Sequence, residues 1–291
     1  MSRPPFVDAH VHFHDLTHPT LRWDWLEPGG PRDPVLGDDG AIRAQQYRAE
    51  DFIAETRFQG VAKVIHVQAA IGSPDPVEET RWLQAAADRV GIPHGAVAYA
   101  DLTDPGLAEV LRRHAEFPIL RGIRDLRYDR YLTDPAWEAG YALLGRTGLV
   151  CCDDPAVEEM GAARGLAERH PDVTLCIDHA GFPKRRDREY LERWRGEMRG
   201  LATVPNVVVK ISGLGQVDHR WTVDSLRPWV LGCIEAFGVE RSFFASNWPV
   251  DRLYSSYGDV LDAYDDLTAD FSDDERRALF AGNAERIFRL A

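Results

Sequence analysis

"FVDAHVHFHD", residues 6 to 15, is the stretch on which the fold turns. Its apolar opening reads as a strand. A doubly wound nucleotide-binding sheet would follow that first strand with a glycine-rich phosphate loop. None is present, and His10, His12 and His14 stand there at alternating positions instead. In a barrel of parallel strands the carboxyl ends carry the chemistry, so imidazoles at the end of strand one are in place to bind something. Alternation puts His10 and His12 on one face of the strand. The competing reading is polar decoration on the exposed face of an edge strand.

Working outward, seven further strand-like runs follow, at 61–69, 94–102, 119–125, 148–154, 173–181, 206–214 and 242–250. Helical patterns fill the gaps at 77–90, 106–116, 135–146, 156–170, 187–201 and 222–237, several of them opened by Asp-Pro signals. Eight strands alternating with helices over 291 residues predict an α/β fold, a single (β/α)8 TIM barrel spanning 1–291. Nothing resembling a repeat or a Gly/Ser linker divides the chain. Residues 15–45, with "LRWDWLEPGGPRDPVLGDDG" at 21–40, are too irregular for a helix and predict a lid-like insertion after strand one. Trp23, Trp25 and Trp248 would then wall a ring-sized ligand, ordinary packing beneath the loop being the equal alternative.

Composition narrows the function. A hydrophobic content of 44% supplies a large core, and a formal charge of −13 repels nucleic acid and anionic membranes. No window approaches the roughly 20 apolar residues of a membrane span. The expectation is a cytoplasmic protein acting on a small molecule, with no nucleic-acid or membrane partner and with homo-oligomerisation left open. Cys151, Cys152, Cys176 and Cys233 lack metal or disulfide spacing and read as buried, reduced thiols.

The ends of the candidate strands are unusually polar: His10 and His12, His66 and Gln68, Arg124, Asp153 and Asp154, Asp178 and His179, Lys210 and Ser212, Asn247 and Asp251. One polar strand end is ordinary; seven around one rim predict a site. The guanidinium of Arg124 suits a carboxylate, with Arg127 and Arg130 close behind, or else it pairs internally with Asp153 or Asp154. Lys210, inside "VVVKISG", needs a carboxylate or a substrate, because an unpaired buried ammonium is costly.

"DAHVH" (8–12), "RGIR" (121–124), "IDHAG" (177–181), "VVVKISGL" (207–214), "FFASNWPVD" (243–251) and the closing "ERRALFAGNAERIFRL" (275–290) together resemble the amidohydrolase superfamily. More narrowly they resemble its amidohydrolase-2 branch, which includes sugar lactonases and 2-pyrone-4,6-dicarboxylate lactonase. The resemblance implies that His10, His12 and His179 ligate one divalent ion, commonly zinc, although some members of the branch work without metal. It also implies that Arg124 binds a substrate carboxylate; the reading of the strand ends and aromatics makes His66, Lys210 and Trp248 candidates to line the substrate site. The branch usually carries Asp in "S-D-W-P", where this chain has Asn247. An amide orients a water or an ester oxygen but does not take the proton, which leaves Asp251 as the nearest base. The expected activity is hydrolysis of a small cyclic ester, a lactone, with His179, Asn247 and Asp251 as catalytic residues. The runners-up are a lyase, a decarboxylase or hydratase on the same barrel, and an inactive binding barrel, against which the costly polar rim argues.

Overall fold

The computed structural model describes residues 3–27, 29–30, 33–125 and 131–291. Eight parallel strands form one sheet in chain order: β1 (Phe6–Val11), β4 (Val61–Val67), β5 (Gly95–Ala98), β6 (Leu120–Ile123), β7 (Val150–Asp153), β8 (Leu175–Ile177), β9 (Val207–Ile211) and β10 (Ser242–Phe244). They curl into a nearly closed (β/α)8 barrel. All eight expected strands are present, and each expected helix falls in its place. These are α2 (Val77–Val90), α3 (Leu107–His114), α4 (Pro135–Thr147), α5 (Met160–Arg169), α6 (Arg188–Ala202) and α7 (Val223–Phe237), preceded by α1 (Ala49–Thr56) and followed by α8 (Tyr257–Leu267). The Asp-Pro signals work as read. Asp75, Asp104 and Asp134 each accept a backbone N–H two residues on, with Pro at the start of the turn, and so open α2, α3 and α4.

Two apolar layers hold the barrel. Val7, Ala9, Ile65, Val67, Val97, Val150, Cys152, Cys176, Val208 and Phe243 fill its interior. A larger core, including Trp137, Trp194, Trp229, Phe52 and Phe280, joins the sheet to the helices. All four cysteines are buried and free, as expected. Among the described residues no helix is long and apolar enough to cross a membrane.

The seam between the last strand and the first is closed mainly by a side chain. His12 N–H donates to the Trp248 carbonyl across it at 2.7 Å. The Asp8 carboxylate does the rest: it accepts from Ser246 N–H (2.9 Å), Ser246 Oγ (2.6 Å), Tyr257 OH (2.8 Å) and, more weakly, His10 N–H (3.3 Å). A fully buried carboxylate with four donors is satisfied where a bare one would be prohibitive.

Between β1 and the insertion, β2 (His14–Asp15) pairs antiparallel with β3 (Gln46–Tyr47) and pinches the base of the loop. His14, the third histidine of the opening stretch, is spent here, its Nε2 3.1 Å from the Ala44 carbonyl. The described part of 16–45 holds neither helix nor strand. It packs through its own apolar cluster of Leu21, Trp23, Leu26, Leu36 and Ile42 onto Ala69, Ala70 and Val250, beyond the carboxyl ends of β4 and β10.

Candidate active site

The pairing of β1 with β4 slips between Asp8 and Val11. Before the slip Val7 and Ala9 face the barrel interior; after it Val11 and Phe13 join the helix-side core. One irregularity in register exchanges the two faces of a strand. It turns Asp8 outward to the seam and His10 and His12 inward.

There His10 Nε2 lies 3.1 Å from His12 Nε2. His12 Nδ1 donates to the Val67 carbonyl at 2.9 Å, so its Nε2 carries the lone pair. His179 completes the group, its ring centroid 4.4 Å from that of His10 and its Nδ1 2.9 Å from Ser212 Oγ. His179 has φ 53°, in the left-handed region, and Asn247 has φ 62°. Both residue types tolerate that conformation better than most, and holding it strains the backbone at the site rather than elsewhere. Burial, with nearby cationic groups, keeps all three imidazoles neutral. His12 is lowered to about 4 by burial and then by Arg124, and His10 and His179 fall well below the ordinary histidine range.

Two nitrogens bound tetrahedrally to one zinc at about 2.0–2.1 Å would stand about 3.3 Å apart. The 3.1 Å between His10 and His12 fits that edge, and the His179 ring lies against His10 with its Nδ1 engaged by Ser212. Among the described residues, the three potential ligand atoms lying within 4.8 Å of one another belong instead to Cys152, Cys176 and Asp178. An ammonium already sits among those three: Lys210 Nζ is 2.9 Å from Asp178 Oδ1 and 3.9 Å from Cys152 Sγ. An ammonium fills that set, while His10 and His12 stand at the spacing of two ligands of one ion.

Lys210 therefore meets a carboxylate. Burial opposes its charge, but Asp178, with Cys152 and Cys176, more than offsets this and raises its pKa. Burial likewise opposes ionisation of Asp178, and Lys210 and Arg124 overcome it. Asp178 Oδ2 also lies 3.5 Å from His10 Nδ1, an outer partner that orients the ring. Arg124 spans two carboxylates, 3.6 Å from Asp178 Oδ2 and 3.6 Å from Asp154 Oδ2. Burial raises Asp154 to about 6, although Arg124 opposes the shift. Asp153 is held separately by Tyr131 OH, at 2.7 and 2.8 Å from its two oxygens. Arg127 and Arg130 lie outside the described residues.

Asp251 stands behind the rim. Its carboxyl lines a cavity of about 10 Å3 with Gly213, Gly215, Trp221, Ser246 and Tyr264, about the room one water needs. Gly213 divides that cavity from His179. With φ +62° and the ring against it, a Cβ there would come 2.5 Å from His179 Nδ1. Burial pushes Asp251 up to about 7, and Asn247 and the Gly215 backbone pull the other way. Asn247 lies between Asp251 and His12 and acts on both, favouring the ionised carboxylate and the protonated ring. Its Nδ2 and Asp251 Oδ2 are both buried without a hydrogen bond. The neighbouring Arg252 pairs with Glu55, not with Asp251. Trp248 belongs to the helical layer, its Nε1 2.9 Å from Glu55 Oε2 and its ring edge-on to Tyr257.

His66 is fully buried, its ring centroid 6.3 Å from that of His12, and neither ring nitrogen has a hydrogen bond. Glu79, on α2, comes within 3.9 Å of its Nε2 and accepts from the Ala69 and Ala70 N–H groups at 2.9 Å each. Burial raises Glu79 to about 7. Sequence reasoning misses Glu79 and Tyr131 because an acid in the first turn of a helix and an aromatic in a loop both have commonplace explanations. Trp25 is half-buried, donates to the Ala69 carbonyl at 2.9 Å and stands edge-on to His12 at 6.0 Å. Trp23 is buried, donating to the Phe13 carbonyl at 3.2 Å.

A barrel with histidines from its first and sixth strands gathered at the carboxyl end defines the class, and comparison of sequences agrees. The chain belongs to the amidohydrolase family, whose sequence profile matches residues 7–290. An uncharacterized protein of Sinorhizobium fredii, y4mH, is 37% identical over 302 residues, 100% of each chain. The L-fucono-1,5-lactonase of Burkholderia ambifaria is 29% identical over 299 residues, covering 98% of this chain and 95% of its own. A crystal structure of an amidohydrolase from Burkholderia multivorans with bound zinc shares the fold at a TM-score of 0.84 and 28% identity, over 98% of this chain and 99% of that one. The chain is an enzyme of this family.

Proposed function

We propose that the enzyme hydrolyses the cyclic ester of a sugar acid, and that Asp251 is its base. The observation that carries the reading is a buried carboxyl at about 7 placed behind Asn247, which in turn neighbours His12. A base works best when its pKa lies near the working pH, and the neutral imidazoles, His12 lowered to about 4 and His10 well below the ordinary histidine range, are poorer acceptors. The similarity to a sugar lactonase supports the substrate class. So does the balance of charge: with Asp154 and Asp178 beside Arg124, and Asp178 on Lys210, the rim suits the hydroxyl groups of a neutral lactone better than a further carboxylate.

In the proposed reaction Asp251 takes a proton from the attacking water as its oxygen bonds to the ester carbon. The buried Asn247 Nδ2 donates to the carbonyl oxygen as charge develops there. The ring C–O bond then breaks, and protonated Asp251 returns the proton to the departing alkoxide. His10, His12 and His179 would hold a divalent ion, zinc by preference; when bound, such an ion polarises the carbonyl and acidifies water.

The test is a screen of aldonolactones in a pH-indicator assay with the wild type, Asp251→Asn and Asn247→Asp. Asp251→Asn should lose roughly 10²–10⁴-fold in kcat with KM little changed. Asn247→Asp should remain active. An active Asp251→Asn alongside a dead Asn247→Asp would remove the base and bring decarboxylation or hydration forward. For the metal, zinc retained after dialysis should be about one per chain in the wild type and lost in a His10→Ala/His12→Ala variant.

A further inference from the structure

The opposite face of the barrel holds a cavity of about 580 Å3, lined where β7, β8, β9 and β10 begin. Three guanidinium groups line it, from Arg241 ahead of β10, Arg286 on the last helical turns and Arg289 close to the chain's end. Glu240 is the one acid in the lining, and no ion pair joins it to those arginines among the described residues. Arg121 stands close enough to Arg289 for the two charges to oppose each other, which adds to its burial in lowering its pKa. In a chain of net charge −13 this is a local excess of positive charge.

Arg241 and Arg286 are held by carbonyls, not by carboxylates. Arg241 donates to the carbonyls of Ala202 (2.8 Å), Val204 (3.0 Å) and Val207 (3.2 Å). Arg286 donates to the Glu240 carbonyl and to Asn283 Oδ1. The guanidinium of Arg289 lies over Gly148, the residue that ends α4, where a Cβ would come 2.6 Å from it. Carbonyls fix the position of a guanidinium and leave its charge unneutralised. The groups are therefore preorganised for an anion.

We propose that this floor cavity binds a small phosphorylated anion, at a site separate from the catalytic mouth. Guanidinium groups brought from three places around a concavity match the oxygens of a phosphoryl group, which accept in several directions; a carboxylate is satisfied by one planar fork. The occupant stabilises the fold without entering the reaction, in keeping with the division of labour between the two faces of such barrels.

The test is thermal unfolding of the full-length protein in low-salt, phosphate-free buffer, titrated with pyrophosphate and, separately, with citrate. Pyrophosphate should raise Tm by about 3 °C at tenfold excess over Kd and go on raising it with the logarithm of concentration, and added NaCl should weaken the effect. Arg286→Gln/Arg289→Gln should lose the shift while kcat and KM stay unchanged; Arg289→Gln alone serves if the double variant folds poorly. No shift with pyrophosphate, a shift from citrate alone, or an equal shift in the variant would each overturn the proposal.

Discussion

The mouth and the floor of this barrel are built from the same strands and treat polar groups in opposite ways. At the floor, Arg241 and Arg286 are pinned by part of their donors to backbone carbonyls and act as staples. At the mouth, side chains partner one another: Lys210 with Asp178, Asp178 with Arg124 and His10, His179 with Ser212. Several buried atoms there, on His66, Asn247 and Asp251, have no hydrogen bond. A staple loses little when one end changes, whereas a closed network of buried charges passes the loss to its neighbours.

The sharpest way to break that contrast is Lys210→Met. It leaves Asp178 as a buried carboxylate short of its nearest cation and should cost about 3–5 kcal/mol in urea unfolding. Arg289→Gln on the floor should stay within about 0.5 kcal/mol. Comparable losses at both sites would end the distinction. Gly213→Ala comes next. Its Cβ would meet His179 and the residue would have to keep a left-handed φ, so kcat/KM should fall roughly 10²-fold with a smaller loss of stability.

A smaller and graded effect lies in pH. If ionised Asp251 is the base, kcat/KM falls about tenfold per unit below about pH 7, and Asp251→Asn has no such limb. Stability runs the other way. The folded pKa is raised above the ordinary 3.8, so between about pH 4 and 7 the folded state keeps a proton that the unfolded chain releases, and wild-type stability declines through that window. The Tm of Asp251→Asn relative to the wild type should therefore rise from pH 4 to pH 7 and level off above it. A flat difference would show that the carboxyl is not held protonated.

Much of the barrel was legible because its signals are local. Runs of β-branched residues, Asp-Pro helix starts and a missing glycine loop each act within a few positions. The gathering of His10, His12 and His179 could be anticipated, but its mechanism could not. Alternation alone sends Asp8, His10 and His12 to one face, and only the slip in register with β4 separates the first from the other two. Pairing of Arg124 with Asp154 was an open alternative that charge alone left undecided. Glu79 behind His66 and Tyr131 on Asp153 depend on contacts between distant elements, for which no spacing rule exists.

Asp8 has a consequence for how the chain comes to be this shape. Its partners Ser246 and Tyr257 follow it by 238 and 249 residues. On a ribosome, the first strand emerges with its carboxylate still in water and waits for almost the entire polypeptide before it can be buried. Partial barrels lacking the last strand would have to keep that charge wet, which opposes premature collapse onto the wrong neighbour. The clasp is thus also a timer: the ring shuts when the final strand arrives, and His10 and His12, two and four residues along, are drawn into place by that same event.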